Sequence, residues 1–261
     1  MKPKIKIIIK YPLIKWRAFR ARRLAKRCAR PENEERYDLD FRHNYVLKQV
    51  KKFAKTLNVQ VEVSGLENVP KKTALITPNH SSSFDPGIVL MALEDPERGP
   101  DKVKHRSVFL AKKSIEKNKR VNGYAKIINT FFIDRKKPRE ALKTMDEMIK
   151  HSKKESKHII IFPEGTRSKN GEIADFKSGA FRVAKKSYLP IVPVTINNAL
   201  SISDLNRKGK LKVQVIFHKP IKPITFMDIE NKSLGQRIEK IVKAAWKKPE
   251  GKRSSNEDEV A

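Results

Sequence analysis

The sequence has one cysteine, few acidic residues and no long apolar run. Cys28 is the single cysteine of the 261 residues, which excludes an intramolecular disulfide and a cysteine-based metal cluster and fits a reducing compartment. The N-terminus is basic, but its longest uncharged runs are only residues 7–9 and 11–14, far short of the roughly 20 apolar residues of a spanning helix. We therefore expect neither a secretory signal nor a transmembrane helix.

Acidic residues are heavily outnumbered by basic ones. Lysine and arginine together number 59 and aspartate and glutamate 29, so the formal net charge is +30 at pH 7. Such a chain is attracted to polyanions, either nucleic acid or the anionic surface of a membrane. The basic residues are spread along the chain, and no zinc knuckle, RNP-type aromatic strand or helix-turn-helix signature accompanies them. A nucleic-acid-binding protein is therefore the weaker alternative, and we expect no specific nucleic-acid partner.

The first 30 residues contain many lysines and arginines but no aspartate or glutamate. Apolar residues recur there at helical spacing and form one stripe, led by Ile5, Ile9, Leu13, Trp16 and Phe19. Pro12 is expected to kink this helix or to split it in two. A basic helix with one apolar face is typical of a segment that lies in the membrane interface. We predict that residues 1–35 form a membrane-association segment; packing on the domain surface is the alternative.

Beyond this segment the chain alternates between strand-like and helix-like patterns, which predicts an α/β domain over residues 36–246. Strands are expected at residues 59–63, 73–77, 107–111, 127–134, 158–162, 191–196 and 211–217. Helices are expected from residue 44 onward, over 87–93, from Pro138 with Leu142, Met145 and Ile149 inward, and over 178–187. The polar tail, residues 247–261, is predicted to be disordered.

The stretch TPNHSSSFDP, residues 77–86, carries the first candidate for catalysis. It places His80 five positions ahead of Asp85, directly after a short apolar strand. A carboxylate that orients an imidazole makes it a general base, because it fixes the ring tautomer and stabilises the imidazolium. Ligands bind at the carboxyl ends of strands in open α/β sheets, so the position supports a functional role. A histidine five positions ahead of an aspartate is nevertheless common in proteins and, taken alone, need not be catalytic.

Two more strands end in reactive polar residues, in the motifs FFIDR and FPEGTRS. They supply Arg135 and Arg167, whose planar guanidinium groups match phosphate oxygens. Gly165 allows a ligand to approach the backbone closely, and Lys112 or Lys113 can add a point charge. Together these groups predict a phosphate-bearing substrate. Surface ion pairing is the alternative for any single cation in so basic a chain, but it explains the FPEGTRS loop poorly.

Three serines, Ser81 to Ser83, follow His80 and suggest a serine hydrolase as a further alternative. The chain has no G-x-S-x-G elbow to present a nucleophilic serine, and a serine next to a histidine in sequence does not thereby hydrogen-bond to it. The remaining histidines lack metal-ligand spacing. We therefore expect neither a serine nucleophile nor a bound metal.

The motifs resemble those of the glycerolipid acyltransferases of the lysophosphatidate acyltransferase type. The first family motif, NHxSxxD, is matched at every fixed position by residues 79–85, and the third, FPEGTRS, residue for residue by residues 162–168. TFFIDR fits the second motif, and the apolar stretch IVPVTI, residues 191–196, fits the fourth. One departure is Asn129, where glycine is common in the second motif. The resemblance covers about residues 60–200 in the family's order and spacing.

The resemblance implies a single acyltransferase domain with a mixed central sheet flanked by helices. It also implies transfer of a fatty acyl group from an acyl thioester to the sn-2 hydroxyl of 1-acylglycerol-3-phosphate, which makes phosphatidic acid. Acyl-CoA or acyl carrier protein is the expected donor, and no further cofactor is expected. Glycerol-3-phosphate and other lysophospholipids remain alternative acceptors, and the sequence does not fix the acyl-chain length.

Roles for individual residues follow from the resemblance. His80 is expected to act as the general base and Asp85 as its orienter. The acceptor's phosphate and glycerol are expected to contact Lys112, Arg135, Glu164, Gly165, Thr166 and Arg167. Glu164 is expected to orient an arginine or a glycerol oxygen rather than to move protons. The residues expected to shape the loops are Asn79, Ser82, Pro163 and Ser168. The expected location is peripheral, on the cytoplasmic face of the cell membrane.

Overall fold

A computed structural model shows an α/β fold in which helices cover both faces of one sheet. It describes residues 1–95, 97, 99–168 and 172–248, so the predicted disordered tail lies outside the described residues apart from positions 247 and 248. The strands are β1 (Val59–Ser64), β2 (Leu75–Pro78), β3 (Ser107–Lys112), β4 (Phe131–Ile133), β5 (His158–Ile160), β6 (Ile191–Asn197) and β7 (Leu211–Phe217). The α-helices are α1 (Pro3–Cys28), α2 (Leu39–Thr56), α3 (Asp85–Ala92), α4 (Lys113–Glu116), α5 (Asn122–Ile127), α6 (Pro138–Lys154), α7 (Arg182–Ser187) and α8 (Asn231–Ala244).

The strands form one sheet in the order β1-β7-β6-β2-β5-β3-β4. Neighbouring strands are parallel except β6 and β7, which are antiparallel. The expectation of a mixed sheet flanked by helices is therefore confirmed. Strands β2 to β6 all end at one edge, which we call the C-terminal edge; their last residues are Pro78, Lys112, Ile133, Ile160 and Asn197. The other two strands, β1 and β7, run the opposite way and begin at this edge.

The central strands are buried on both faces, so an apolar layer forms on each side of the sheet. Successive residues of β2 alternate between the two layers. Ile76 packs in the layer that contains Leu47 of α2 and Leu90 of α3. Leu75 packs in the opposite layer, with Phe181 and with Leu234 of α8. Because β2 lies between β6 and β5, it delivers the residues that follow it to the middle of the C-terminal edge.

The N-terminal helix α1 is a single helix of 26 residues that continues through Pro12. The expectation that Pro12 splits the helix is therefore wrong. A proline deprives the carbonyl of the residue four positions earlier of its helical partner. That residue is Ile8, which is exposed, so water can bond to the carbonyl. Within the described residues, no helix combines the length and the apolar character that crossing a membrane requires.

The predicted strand over residues 127–134 is mostly not a strand. Ile127 ends α5, a turn follows, and only residues 131–133 join the sheet as β4. Ile127 and Ile128 are apolar because they pack in the core at the end of α5, and not because they form a strand. Asn129 in the turn has φ 56°, the left-handed conformation that glycine and asparagine adopt most readily. The asparagine therefore meets the backbone requirement of a position where glycine is common in the family.

Several helices also differ from expectation; the helix expected over 178–187, for example, begins as α7 only at Arg182, after a 3₁₀ turn at Ser178–Ala180. Leu142 of α6 is exposed, so its expected place on the buried face is wrong, whereas Ile149 of the same helix is buried. Helix α8 is absent from the predicted elements, although its residues Leu234, Ile238 and Val242 recur at helical spacing and are fully buried. The apolar signal of α8 was present in the sequence at the four-residue spacing of a helix face.

Candidate active site

Three donors converge on one oxygen of Asp85. Its Oδ2 accepts a hydrogen bond from His80 Nδ1 at 2.8 Å. It also accepts the backbone N–H groups of Ser81 and Ser82, at 2.7 and 2.8 Å. An ionised carboxylate can only accept, so Nδ1 of His80 carries a proton and the ring's lone pair is on Nε2. The side chain of Asp85 is fully buried, whereas that of His80, which carries the basic Nε2, is 18% exposed. Solvent therefore reaches the imidazole but not the carboxylate.

The loop that carries His80 is held in shape by its own polar residues. The side-chain amide of Asn79 pairs with β6, donating to the carbonyl of Ile196 at 3.0 Å and accepting its N–H at 2.6 Å. Ser82 Oγ accepts the N–H of Phe84 at 3.2 Å. Because Asp85 is the first residue of α3, its carboxylate is anchored by a helix end.

The FPEGTRS loop, residues 162–168, holds the backbone of His80 from both sides. Glu164 Oε1 accepts the N–H of His80 at 2.5 Å. The N–H of Ser168 donates to the carbonyl of His80 at 2.8 Å. Phe162 adds a ring contact, with its centroid 4.4 Å from that of the imidazole. The first and third sequence motifs therefore form one unit around the candidate base.

Glu164 forms a buried bridge between two backbone segments. It is 1% exposed, and its second oxygen, Oε2, accepts the N–H of Ala174 at 3.0 Å. Burial raises the pKa of Glu164 from 4.5 to about 7. Both carboxyl oxygens bind backbone N–H groups, so the side chain connects the backbone of His80 to a neighbouring segment. A contact of Glu164 with an arginine or a glycerol oxygen stays a prediction.

The support beneath this loop has no local sequence signal. The N–H of Lys177 donates to the carbonyl of buried Pro163 at 3.0 Å. The N–H of Phe176 donates to Glu239 Oε2, on α8, at 2.9 Å. Residues 174–177 thus connect α8 to the FPEGTRS loop. No local pattern links these positions, since Glu239 lies 63 residues from its partner along the chain.

The candidate acceptor-binding cations lie at the C-terminal edge and are exposed. Lys112 ends β3 and Arg135 follows β4, so the two stand on adjacent strands. Arg135 Nη1 donates to the carbonyl of Gly165, and a Cβ at that glycine would lie 3.0 Å from Nη1. Gly165 also has φ 73°, which other residues rarely adopt, so the contact requires glycine. Thr166 and Arg167 are exposed in the same loop.

Helix α1 divides its residues between two faces. Its small residues are buried against the domain, namely Ala18, Ala21 and Ala25. The residues predicted to contact a membrane are all exposed, namely Ile5, Ile9, Leu13, Trp16 and Phe19. Helix α1 therefore packs on the domain with one side and exposes its large apolar residues on the opposite side.

The start of α1 lies at the C-terminal edge. The N–H of Lys4 donates to the carbonyl of Leu205 at 2.9 Å, and Lys6 Nζ donates to Asn58 Oδ1. Asn58 directly precedes β1, which begins at this edge, and Leu205 follows β6, which ends there. The exposed apolar face of α1 and the His80–Asp85 pair therefore belong to the same end of the molecule.

Comparisons with known proteins find similar acyltransferases. A family model described as Acyltransferase matches residues 60–197. A probable 1-acyl-sn-glycerol-3-phosphate acyltransferase of Mycoplasma pneumoniae is 32% identical over 217 residues, covering 80% of this chain and 78% of that protein. The 1-acyl-sn-glycerol-3-phosphate acyltransferase of Borreliella burgdorferi is 31% identical over 189 residues, covering 71% of each chain. The crystal structure of the 1-acyl-sn-glycerophosphate (LPA) acyltransferase PlsC from Thermotoga maritima matches with a TM-score of 0.65 and 25% identity, covering 91% of this chain and 89% of that chain.

Proposed function

This chain belongs to the acyltransferase family that its motifs resemble, and we propose that it transfers a fatty acyl group from an acyl thioester to the sn-2 hydroxyl of 1-acylglycerol-3-phosphate. The relatives named as 1-acyl-sn-glycerol-3-phosphate acyltransferases support this reaction. One observation carries the proposal. His80 at the C-terminal edge is oriented through Nδ1 by the buried carboxylate of Asp85, which leaves Nε2 for a substrate proton.

The hydroxyl of the acceptor is the nucleophile in this mechanism. His80 Nε2 takes the hydroxyl proton as the oxygen attacks the thioester carbonyl, because Nδ1 is already protonated and bound to Asp85. The buried carboxylate stabilises the imidazolium while the tetrahedral intermediate exists. When the carbon–sulfur bond breaks, the imidazolium returns the proton to the leaving thiolate. The reaction requires no acyl-enzyme intermediate.

The cations of the C-terminal edge bind the phosphate of the acceptor. Arg135 and Arg167 offer guanidinium groups that match phosphate oxygens in pairs, and Lys112 adds a point charge. Arg135 uses one N–H group for the carbonyl of Gly165, and its guanidinium carries several more. Thr166 contributes a hydroxyl in the same loop. Glu164 acts on the acceptor at least through the position it gives to His80.

Helix α1 places the enzyme on an anionic membrane surface, as a peripheral protein on the cytoplasmic face of the cell membrane. Its exposed isoleucine, leucine, tryptophan and phenylalanine side chains enter the acyl boundary, and its lysines and arginines meet anionic headgroups. The proposed acceptor is itself a membrane lipid. The helix therefore brings the C-terminal edge to the phase that contains the substrate.

The acyl donor is a thioester of CoA or of acyl carrier protein. Both are anionic, and a net charge of +30 attracts either one. The proposed mechanism uses no further cofactor, because proton transfer and charge stabilisation are supplied by side chains.

An acceptor panel tests the proposal. The purified full chain is incubated with labelled acyl-CoA or labelled acyl carrier protein and, in separate reactions, with lysophosphatidate, glycerol-3-phosphate or lysophosphatidylcholine. We expect phosphatidic acid made from lysophosphatidate to be the dominant labelled product. Dominant transfer to glycerol-3-phosphate would favour the alternative acceptor instead. The absence of transfer to every acceptor, with both donors, would contradict the proposed reaction.

A further inference from the structure

A second surface at the C-terminal edge combines exposed apolar and basic side chains. Residues 112–121, which we call the 112–121 segment, comprise the end of β3, the short helix α4 and the turn that leads to α5. Ile115 is 40% exposed and Val121 is 41% exposed. This short segment therefore exposes two large apolar side chains to solvent.

The 112–121 segment is also strongly basic. Its cationic residues are all exposed, namely Lys112, Lys113, Lys117, Lys119 and Arg120. Its one carboxylate, Glu116, is paired with Lys126 at 3.2 Å, and the five cations leave the segment with a net positive charge. Apolar side chains surrounded by cations complement the boundary of an anionic bilayer, where acyl chains lie beneath negatively charged headgroups.

This segment is fixed to the helix that carries the proposed membrane face. Arg22 Nη1, on α1, donates to the carbonyl of Lys119 at 2.6 Å. Gly123, in α5, packs so closely on α1 that a Cβ would lie 2.6 Å from the backbone nitrogen of Arg22. A larger residue could not occupy this position without moving the helices apart. Arg22 also lies 5.8 Å from the ring centroid of Phe19, which belongs to the exposed apolar face of α1. Arg22 therefore links the 112–121 segment to that face.

We propose that the 112–121 segment is a second membrane contact, in which Ile115 and Val121 enter an anionic bilayer beside the apolar face of α1. A helix that lies alone in the interface can roll about its own axis. A second contact, off that axis, prevents the rolling and keeps the C-terminal edge with His80 turned toward the bilayer. This inference rests on the proposed membrane association of α1.

Single-cysteine labelling tests the contact in the full chain. Because Cys28 is buried and is the only cysteine, an introduced cysteine can be labelled with an environment-sensitive nitrobenzoxadiazole dye, with unsubstituted protein as the blank. Ile115→Cys and Val121→Cys place the dye on the segment. Ile224→Cys and Val63→Cys are matched controls, 73% and 42% exposed, near the ends of β7 and β1 at the opposite edge of the sheet.

The expected result is a blue shift and a rise in emission at the two segment positions when vesicles of phosphatidylglycerol and phosphatidylcholine are added, with little change at the control positions. Flotation of the same samples measures binding independently. If the labelled chains float and the dye at both segment positions stays unchanged, the second contact is wrong and membrane association by α1 stands. If the unsubstituted chain does not float, both the second contact and the proposed association of α1 are wrong.

An activity measurement separates membrane contact from catalysis. The double variant Ile115→Ser/Val121→Ser should transfer acyl groups to vesicle-borne lysophosphatidate about tenfold or more slowly, as expected when two apolar side chains leave the bilayer. It should retain its rate with a short-chain lysophosphatidate dispersed as monomers. Val63→Ser/Ile224→Ser should change neither rate. An equal loss with both forms of the acceptor would place the effect in the catalytic site and overturn the inference.

Discussion

The chemistry of the site depends on one oxygen atom. Asp85 Oδ2 receives the imidazole N–H of His80 and the backbone N–H groups of Ser81 and Ser82. The same atom therefore orients the base and holds the loop that carries it. Hydrogen bonds to a charged acceptor are stronger than those to a neutral one, so the negative charge contributes to both tasks.

Asp85→Asn keeps the shape of this side chain and removes its charge. We expect kcat to fall by about 10²- to 10⁴-fold, the range that general base catalysis supplies, with a much smaller change in the KM of the acceptor. Steady-state kinetics measures both quantities. Ser83→Ala, an exposed position in the same loop, should leave them unchanged. An unchanged kcat in Asp85→Asn would remove the carboxylate from the mechanism.

Glu164 makes the stability of the fold depend on pH. Burial raises its pKa from 4.5 to about 7, so between these values the folded protein binds a proton that the unfolded chain has released. The contribution of Glu164 to the free energy of unfolding is therefore fully present below the lower value and lost as the pH rises through the higher one. Glu164→Gln removes this titration. As the pH rises from 4.5 to about 7, the free energy of unfolding of Glu164→Gln should increase relative to that of the unsubstituted chain by on the order of 3 kcal/mol.

Urea unfolding of both proteins at the two ends of this pH range measures the shift. Titrations elsewhere in the chain are common to both proteins and cancel in the difference. A difference that does not vary with pH would contradict the raised pKa of Glu164.

At the scale of single residues, a contact could be predicted from the sequence where its two partners are close together in the chain. His80 and Asp85 are five positions apart in one motif, and the structure brings them into contact. The partners of Glu164 are the N–H groups of His80 and Ala174, which only the fold brings together. A motif identifies the residues that matter at such a position but not the atoms that they face.

Among the secondary-structure elements, the strands with β-branched runs bounded by turn residues were predicted best. The expected strands at 191–196 and 211–217 differ from β6 and β7 by at most one residue. The stretch from Ile127 to Ile128 was misassigned since a short apolar run does not distinguish a strand from a buried helix end. Its assignment depends on packing against α1 and α2, which no local pattern specifies.

The turn between α5 and β4 gives a test of backbone strain. Asn129 has φ 56° and its amide lies 3.2 Å from His151 Nε2, and substitution by glycine or valine removes that contact equally. The difference between the two variants therefore reflects the backbone conformation, reduced by the greater freedom that glycine has in the unfolded chain. We expect Asn129→Val to be less stable than Asn129→Gly by about 1–3 kcal/mol, measured by urea unfolding. Equal stabilities would contradict a left-handed conformation at this position.

At the scale of the whole molecule, helix α1 combines basic residues with exposed large apolar side chains. The sequence predicted a basic N-terminal helix with an apolar stripe, but not which side of the helix the domain covers. The close packing of Gly123 on the backbone of α1 decides this, because it buries the small residues of the helix and leaves the large ones exposed. Such a contact joins segments about a hundred residues apart and has no local sequence signal.

Vesicle binding should reflect both properties of α1. Trp16→Ser/Phe19→Ser should weaken binding to anionic vesicles by about tenfold or more, because two large apolar side chains no longer enter the bilayer. Raising the salt concentration from 0.1 to 1 M should also weaken the binding of the unsubstituted chain, since the Debye length falls from about 10 to about 3 Å. Flotation measures both effects, with Ile224→Ser as the control. Binding that neither change reduces would contradict the proposed role of α1.

The rate of acyl transfer by His80→Ala tests the central claim most directly. The assay uses a labelled acyl thioester and lysophosphatidate, with His218→Ala as the control for loss of an imidazole elsewhere, and thermal unfolding confirms that each variant is folded. We predict a rate lower by about 10²- to 10⁴-fold for His80→Ala and a rate close to that of the unsubstituted chain for the control. Transfer by folded His80→Ala at the normal rate would contradict the assignment of His80 as the general base.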